Sequence, residues 1–212
     1  MYLPGIFRVD ARAVVEEIIR RHSFGTLVTS GEGGLCATHL PFLFDGEAGE
    51  HGTLLGHVAR ANPAWRDLRP AEDVLALFQG PHCYVTPSWY RGKLHVPTWN
   101  YVAVHVYGRP RLLSPSELLE LLGRLTDQHE AQFARPWSAG DLPRPFVEET
   151  LQAIVGFAVA VTRVECKLKL SQNRAPEDRK RVAEELARCA SPESRATAAG
   201  SMTMHARPCA AG

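Results

Sequence analysis

Residues 96–110 read VPTWNYVAVHVYGRP. From Trp99 the pattern alternates. Val102, Val104 and Val106 share one face, and Tyr101, Ala103, His105 and Tyr107 share the other. A period of two is a strand with one buried side. The lead-in is what a strand does not need: a threonine, a tryptophan, an asparagine and a tyrosine in a row. A flat ligand with polar edges would use all four, because the rings can stack on it and the amide can both donate and accept. A packed aromatic cluster closing one end of a barrel fits the same residues.

Outward from this strand, the chain is rich in short strands. FGTLVTS (24–30), a GEGG turn (31–34) and LCATHLPFLFD (35–45) predict a hairpin. TLLGHV (53–58) predicts a third strand and VLALFQ (74–79) a buried one, while GFAVAVTRVECKLKL (156–170) predicts a long last strand. Residues 80–98 carry Pro81, Pro87, Gly92 and Pro97 and read as irregular. Helices are predicted over 10–22, with Asp10 as cap, over 115–133 behind the capping box Ser114-Pro115-Ser116-Glu117, over 145–153 and over 176–188. On the first helix, Glu16–Arg20 and Glu17–Arg21 are spaced as ion pairs. The tail from Ser191 is small, polar and aperiodic, and disorder is expected there. Six or seven strands joined mostly by tight turns predict an antiparallel barrel with flanking helices rather than a doubly wound parallel sheet. No dinucleotide-binding or phosphate-loop glycine motif is present.

Composition narrows the function classes. The chain has 212 residues, long enough to bury about 70% of its extended-chain surface without a disulfide or metal. With 24 basic and 23 acidic residues the net charge is +1, so there is no footprint of non-specific nucleic-acid binding. Five cysteines, none in C-x-x-C spacing, read as reduced thiols of a cytoplasmic protein. The N-terminus has no apolar run behind a basic start, so no signal peptide is expected, and no stretch is long and apolar enough to span a membrane. The nine histidines show no tight ligand spacing with cysteine or carboxylate, so no metal site is expected. No nucleophile elbow, zincin motif or convincing acid–base pair is found.

Four islands hold the polar and aromatic detail. Ala37-Thr38-His39-Leu40-Pro41 lies on the second strand. Gly56-His57-Val58-Ala59-Arg60-Ala61-Asn62-Pro63 joins a strand to a short helix. A helix start favours an anion such as phosphate, and Arg60 adds a fork of donors; by spacing alone an ordinary N-cap with an exposed arginine is the better reading. The third island is the opening stretch with Trp89-Tyr90 before it. The fourth, Lys167-Leu168-Lys169-Leu170-Ser171-Gln172-Asn173-Arg174, leaves the last strand with two lysines on one face.

In this order the islands resemble one family, the FMN-binding negative transcriptional regulators (PaiB-like proteins). The resemblance rests on MYLPGIF, SFGTLVTS, ATHLP, LLGHVARANPAW, FQGPHCYVTPSWY, VPTWNYVAVHVYG and KLSQNRAPEDR, and runs to about residue 188. It implies the flavin-binding split barrel, a six-stranded Greek-key barrel related to pyridoxamine-phosphate oxidases. Residues 1–175 would form it, with helices inserted over about 114–153, followed by a C-terminal helix at 176–189 and a disordered tail at 190–212. It further implies a homodimer with FMN between the subunits. The phosphate would sit at Ala59, Arg60, Ala61 and Asn62, with His57 leading in. Thr38 and His39 would face the ring or ribityl chain, and Trp99, Asn100 and Tyr101 would line the ring or the dimer groove. Lys169, Ser171 and Gln172 would reach FMN from the partner chain. The family's name implies transcriptional regulation, yet no helix pair with a base-reading second helix is seen. An indirect route is therefore expected, through flavin redox state or a protein partner. Whether the protein is also an FMN-dependent oxidoreductase is left open. Two other readings stay beside this one: a haem-binding or haem-degrading split barrel using His39, His57, His82 or His105, and a regulator that contacts DNA directly.

Overall fold

The computed structural model describes residues 1–92 and 94–205. The strands are β1 (Phe24–Gly31), β2 (Gly34–Pro41), β3 (Leu43–Asp45), β4 (Thr53–Ala59), β5 (Val74–Val85), β6 (Thr98–Leu112) and β7 (Ile154–Lys169). The helices are α1 (Arg12–Arg21), α2 (Pro115–Glu130), α3 (Arg144–Gln152), α4 (Pro176–Arg188) and α5 (Pro192–His205). One sheet holds the strands in the order β2-β1-β5-β6-β7-β4-β3. The fold is mainly β and antiparallel with flanking helices, as expected. Among the described residues it has seven strands rather than six, because the predicted 35–45 strand breaks at Phe42 into β2 and β3.

The chain divides into two compact units. This division does not follow the linear one anticipated from sequence, since β5, β6 and β7 each supply residues to both. The first unit comprises Arg12–Phe78 and His105–Val164. Its β1–β2 hairpin pairs from Phe24↔Pro41 to Gly31↔Gly34, closed by a turn in which Gly34 takes a φ of +92°. β4 pairs with β7 from Thr53↔Ala160 to Ala59↔Ile154. The core is aromatic. Phe42 meets Phe78 at 5.3 Å and Phe157 at 6.2 Å, both edge to face, and Ile19, Leu27 and Leu54 of the same unit are fully buried. β2 packs against β4 closely enough that a Cβ on Gly56 would stand 2.8 Å from Leu40 Cδ1. A second cluster joins Leu118, Leu121 and Leu125, spaced to one face of α2, to Leu43. On α1, Glu17 pairs with Arg20 and Arg21, while Glu16 pairs back to Arg12 rather than forward to Arg20. Asp10 lies before α1 in the other unit, where it pairs with Arg8.

The second unit comprises Met1–Ala11, Gln79–Val104 and the described residues from Glu165 onward. Its core joins Cys83 and Val85 of β5 and Tyr90 to Val182 and Leu186 of α4 and Ala198 of α5. Two expectations are corrected here. Residues 80–85, read as irregular, continue β5 despite Pro81. The supposed disordered tail is helical over Pro192–His205, with Thr197 and Ala198 buried; residues 206–212 of that expectation lie outside the described residues.

Candidate functional site

The anticipated site residues fall into two clusters, one in each unit. In the first, β4 ends at Ala59 and the chain turns tightly, with Asn62 N–H donating to Ala59 O at 2.9 Å. The helix expected to open at Asn62 is only a 3₁₀ turn, Pro63–Asp67, too short to carry an appreciable dipole. Asn62 does cap it: its Oδ1 accepts from Ala64 N–H at 3.0 Å. Its Nδ2 reaches Thr38 Oγ1 at 3.5 Å, which brings two of the anticipated residues together. Trp65 Nε1 donates to Arg60 O at 3.0 Å and steadies the turn.

Arg60 is exposed and anchored. Its Nε donates to Gln152 O at 2.6 Å and its Nη2 to Ile154 O at 3.0 Å, while its own amide donates to Ala153 O at 2.8 Å. These bonds cap the end of α3. A guanidinium has five N–H groups, so about three remain to meet an anion. With the helix dipole gone from the argument, the attraction for phosphate rests on this side chain.

His57 is half-buried, and its Nδ1 is buried with no hydrogen-bond partner. Burial holds its pKa below the ordinary 6.5, which favours neutral imidazole. His39 pairs across the hairpin with Thr26 and stacks on the exposed Phe24 at 6.5 Å.

In the second cluster, Trp99 is 53% exposed at the start of β6. Its ring lies 6.4 Å from His82 and 6.0 Å from Tyr84. Asn100 behaves differently from the sequence expectation. It is fully buried, its Nδ2 donates to Ser171 Oγ at 3.0 Å, and Ser171 Oγ donates back to its Oδ1 at 3.1 Å. An amide buried so completely presents no edge to a ligand from outside. Gln172 is likewise engaged, accepting from Leu170 N–H at 2.6 Å and donating to Leu168 O. Lys169 Nζ donates to Thr98 Oγ1 and to Trp99 O. Burial, then Lys167 and Arg174, lower its pKa. Lys167 and Lys169 both lie over Tyr101, with Nζ 5.3 and 6.0 Å from the ring centre. This cluster therefore ties β6 to the end of β7 and leaves the Trp99 ring at the surface. Sequence reasoning did not group His82 and Tyr84 with Trp99. Alternation carried on from Val74, Ala76 and Phe78 would bury both; the buried parity shifts by one around Pro81, to Cys83 and Val85, and that shift turns His82 and Tyr84 outward.

Among the described residues, no group of three histidine, cysteine, aspartate or glutamate side chains could hold a metal ion. No described helix is long and apolar enough to cross a membrane.

Comparison with known proteins bears on both clusters. Residues 1–163 match the family described as "Putative FMN-binding domain". The chain belongs to this family. The FMN-binding family match spans His57–Asn62 and Trp99–Tyr101, while Lys169, Ser171 and Gln172 lie beyond it. Within reach of the same family reading is "Protease synthase and sporulation protein PAI 2" of Bacillus subtilis (strain 168), 40% identical over 186 residues, 88% of this chain and 89% of that protein. An uncharacterized protein of Emericella nidulans is 30% identical over 220 residues, 84% of this chain and 87% of its own length. Two solved structures share the fold. The flavocytochrome Anf3 of Azotobacter vinelandii has a TM-score of 0.57 at 16% identity, covering 81% of this chain and 74% of that one. An FAD and heme binding protein of Mycobacterium smegmatis has a TM-score of 0.56 at 16% identity, covering 81% and 78%.

Proposed function

We propose that this chain is a cytoplasmic flavoprotein that binds FMN as a homodimer and takes part in regulation indirectly. The observation that carries the reading is Arg60: an exposed guanidinium held by two backbone carbonyls, with donors to spare, inside the stretch matched to the FMN-binding family. Arg60 would bind the phosphate, and Asn62 and Thr38 would offer polar groups beside it. His57 leads into the turn at Arg60 from β4, its imidazole kept neutral by burial. In the dimer, the exposed Trp99 would cover an aromatic ring. Bound FMN would supply hydride and single-electron chemistry; the protein's share is binding, orientation and exclusion of water.

The name of the Bacillus subtilis relative, which joins protease synthesis to sporulation, supports a regulatory role. An indirect route is favoured because the basic run on α4 is offset by acids, as where Lys180 faces Glu184 at 3.9 Å. Cys36, Cys83, Cys166 and Cys189 are free thiols, which suits a reducing compartment.

The test is titration of the purified protein with FMN and with riboflavin, followed by flavin fluorescence, in wild type and Arg60→Lys. Lysine keeps the charge and loses the fork. Affinity for FMN should fall about tenfold or more, and affinity for riboflavin, which has no phosphate, should hold. Equal losses for both would remove Arg60 from the phosphate. No uptake of FMN, with a Soret band on adding haemin, would replace this reading by the haem one. Salt-sensitive shifts of promoter fragments would favour direct DNA contact.

A further inference from the structure

In the unit that carries Trp99, a cleft of about 450 Å³ opens between the end of β5, the Pro87–Trp89 turn, Trp99 and the first turn of α5. The flavin reading uses only Trp99 of these. Tyr84 stands edge-on to Trp99, with ring centres 6.0 Å apart and planes at 74°. The His82 ring lies 6.4 Å from that of Trp99, and Trp89 completes the aromatic lining. Rings at a steep angle form a corner in which more than one electron-rich face can turn to the same guest. No lysine or arginine is among the described lining residues; the carboxylate there is Glu193. Ser191 Oγ donates to Glu193 Oε2 at 3.0 Å and accepts from Ser194 N–H at 3.4 Å. The helix start is therefore capped, and what it turns to the cleft is a negative charge. Its own backbone amide, then the Ser191 hydroxyl, hold the Glu193 carboxyl below the usual carboxylate range, with a smaller contribution from His82.

We propose that this cleft binds a compact organic cation, a quaternary ammonium or a protonated amine, between the Trp99–Tyr84 corner and the Glu193 carboxylate. A neutral guest of the same shape gains the contact area but neither the attraction of the ring faces nor that of the carboxylate. The site goes beyond the flavin reading and stands without it.

The test is tryptophan fluorescence of the full chain during titration with choline at constant ionic strength, beside its neutral isostere 3,3-dimethylbutan-1-ol. Choline should give a saturable change and the alcohol a clearly weaker one. Glu193→Gln and Tyr84→Ala should each weaken choline roughly two- to fivefold. Glu193 lies outside the flavin reading, so the FMN titration of Glu193→Gln should match wild type. Circular dichroism checks that both variants fold. Equal binding of the alcohol, unchanged choline affinity in both variants, or no saturable response would each overturn the proposal. Choline binding by a wild-type protein that takes up no FMN would leave it standing and defeat the flavin reading alone.

Discussion

Asn100 and Ser171 exchange two hydrogen bonds in a fully buried setting, and Ser171 takes a φ of +66° to do so. Removing one partner leaves the other desolvated and unpaired. Asn100→Ala should therefore cost about 2–3 kcal/mol in urea unfolding. Adding Ser171→Ala should cost less than the sum of the two changes, because the second partner has no bond left to lose. The position was half legible. Parity puts Asn100 on the face of Val102, Val104 and Val106, all of them buried, and opposite Trp99; the chemical versatility of the amide drew the reading toward a ligand instead. His57 gives a pH prediction. Its folded-state pKa lies below 6.5, so above that pH both states are neutral and stability is unaffected. As pH falls through 6.5, the unfolded chain takes up a proton that the folded chain resists, and stability drops. His22 acts with the same sign, through burial and then Arg21. His57→Gln should shrink the fall in Tm between about pH 7.5 and about pH 5.5; an unchanged slope would show that the histidine is not the cause.

At the level of elements, α2 was readable to its first residue. Ser114 Oγ accepts from Glu117 N–H at 3.3 Å and Glu117 Oε2 accepts from Ser114 N–H at 2.8 Å, as the capping box demands. Ser114→Ala should cost about 1 kcal/mol, read from thermal melts. β5 was cut short because Gly80-Pro81 reads as a breaker. Yet β5 pairs with β1 over Leu75–Leu77, and Pro81 lies past that ladder. α5 escaped notice for a different reason. Among the residues whose burial is described, its buried positions are Thr197 and Ala198, and residues so small leave no amphipathic signature. Strand spacing adds a sharper prediction. A Cβ on Gly108 of β6 would stand 2.3 Å from Ala160 O, a backbone atom of β7 that cannot rotate away. Gly108→Ala should lower stability by at least about 2 kcal/mol or abolish soluble expression; a wild-type melting curve would refute that contact.

For the whole molecule, sequence patterning gave the antiparallel sheet and its flanking helices, but not the division into two units. Alternation reports which face of a strand is buried and is silent on which core buries it. Ala198 shows the difference, since it closes a cluster with Cys83, Val85, Tyr90, Val182 and Leu186. A chain stopped after Cys189 should melt at least a few degrees lower and expose apolar surface to a hydrophobic dye. A disordered tail could be removed without effect on either. Arg60 joins two stretches far apart in sequence: the end of β4, and the junction at residues 152–154 where α3 gives way to β7. Its long side chain is already immobilised when the protein folds, so that entropy is spent in folding and is not charged again on association. An anion arriving at the remaining donors should consequently show, by calorimetry, a smaller entropic penalty than one caught by a freely rotating surface arginine.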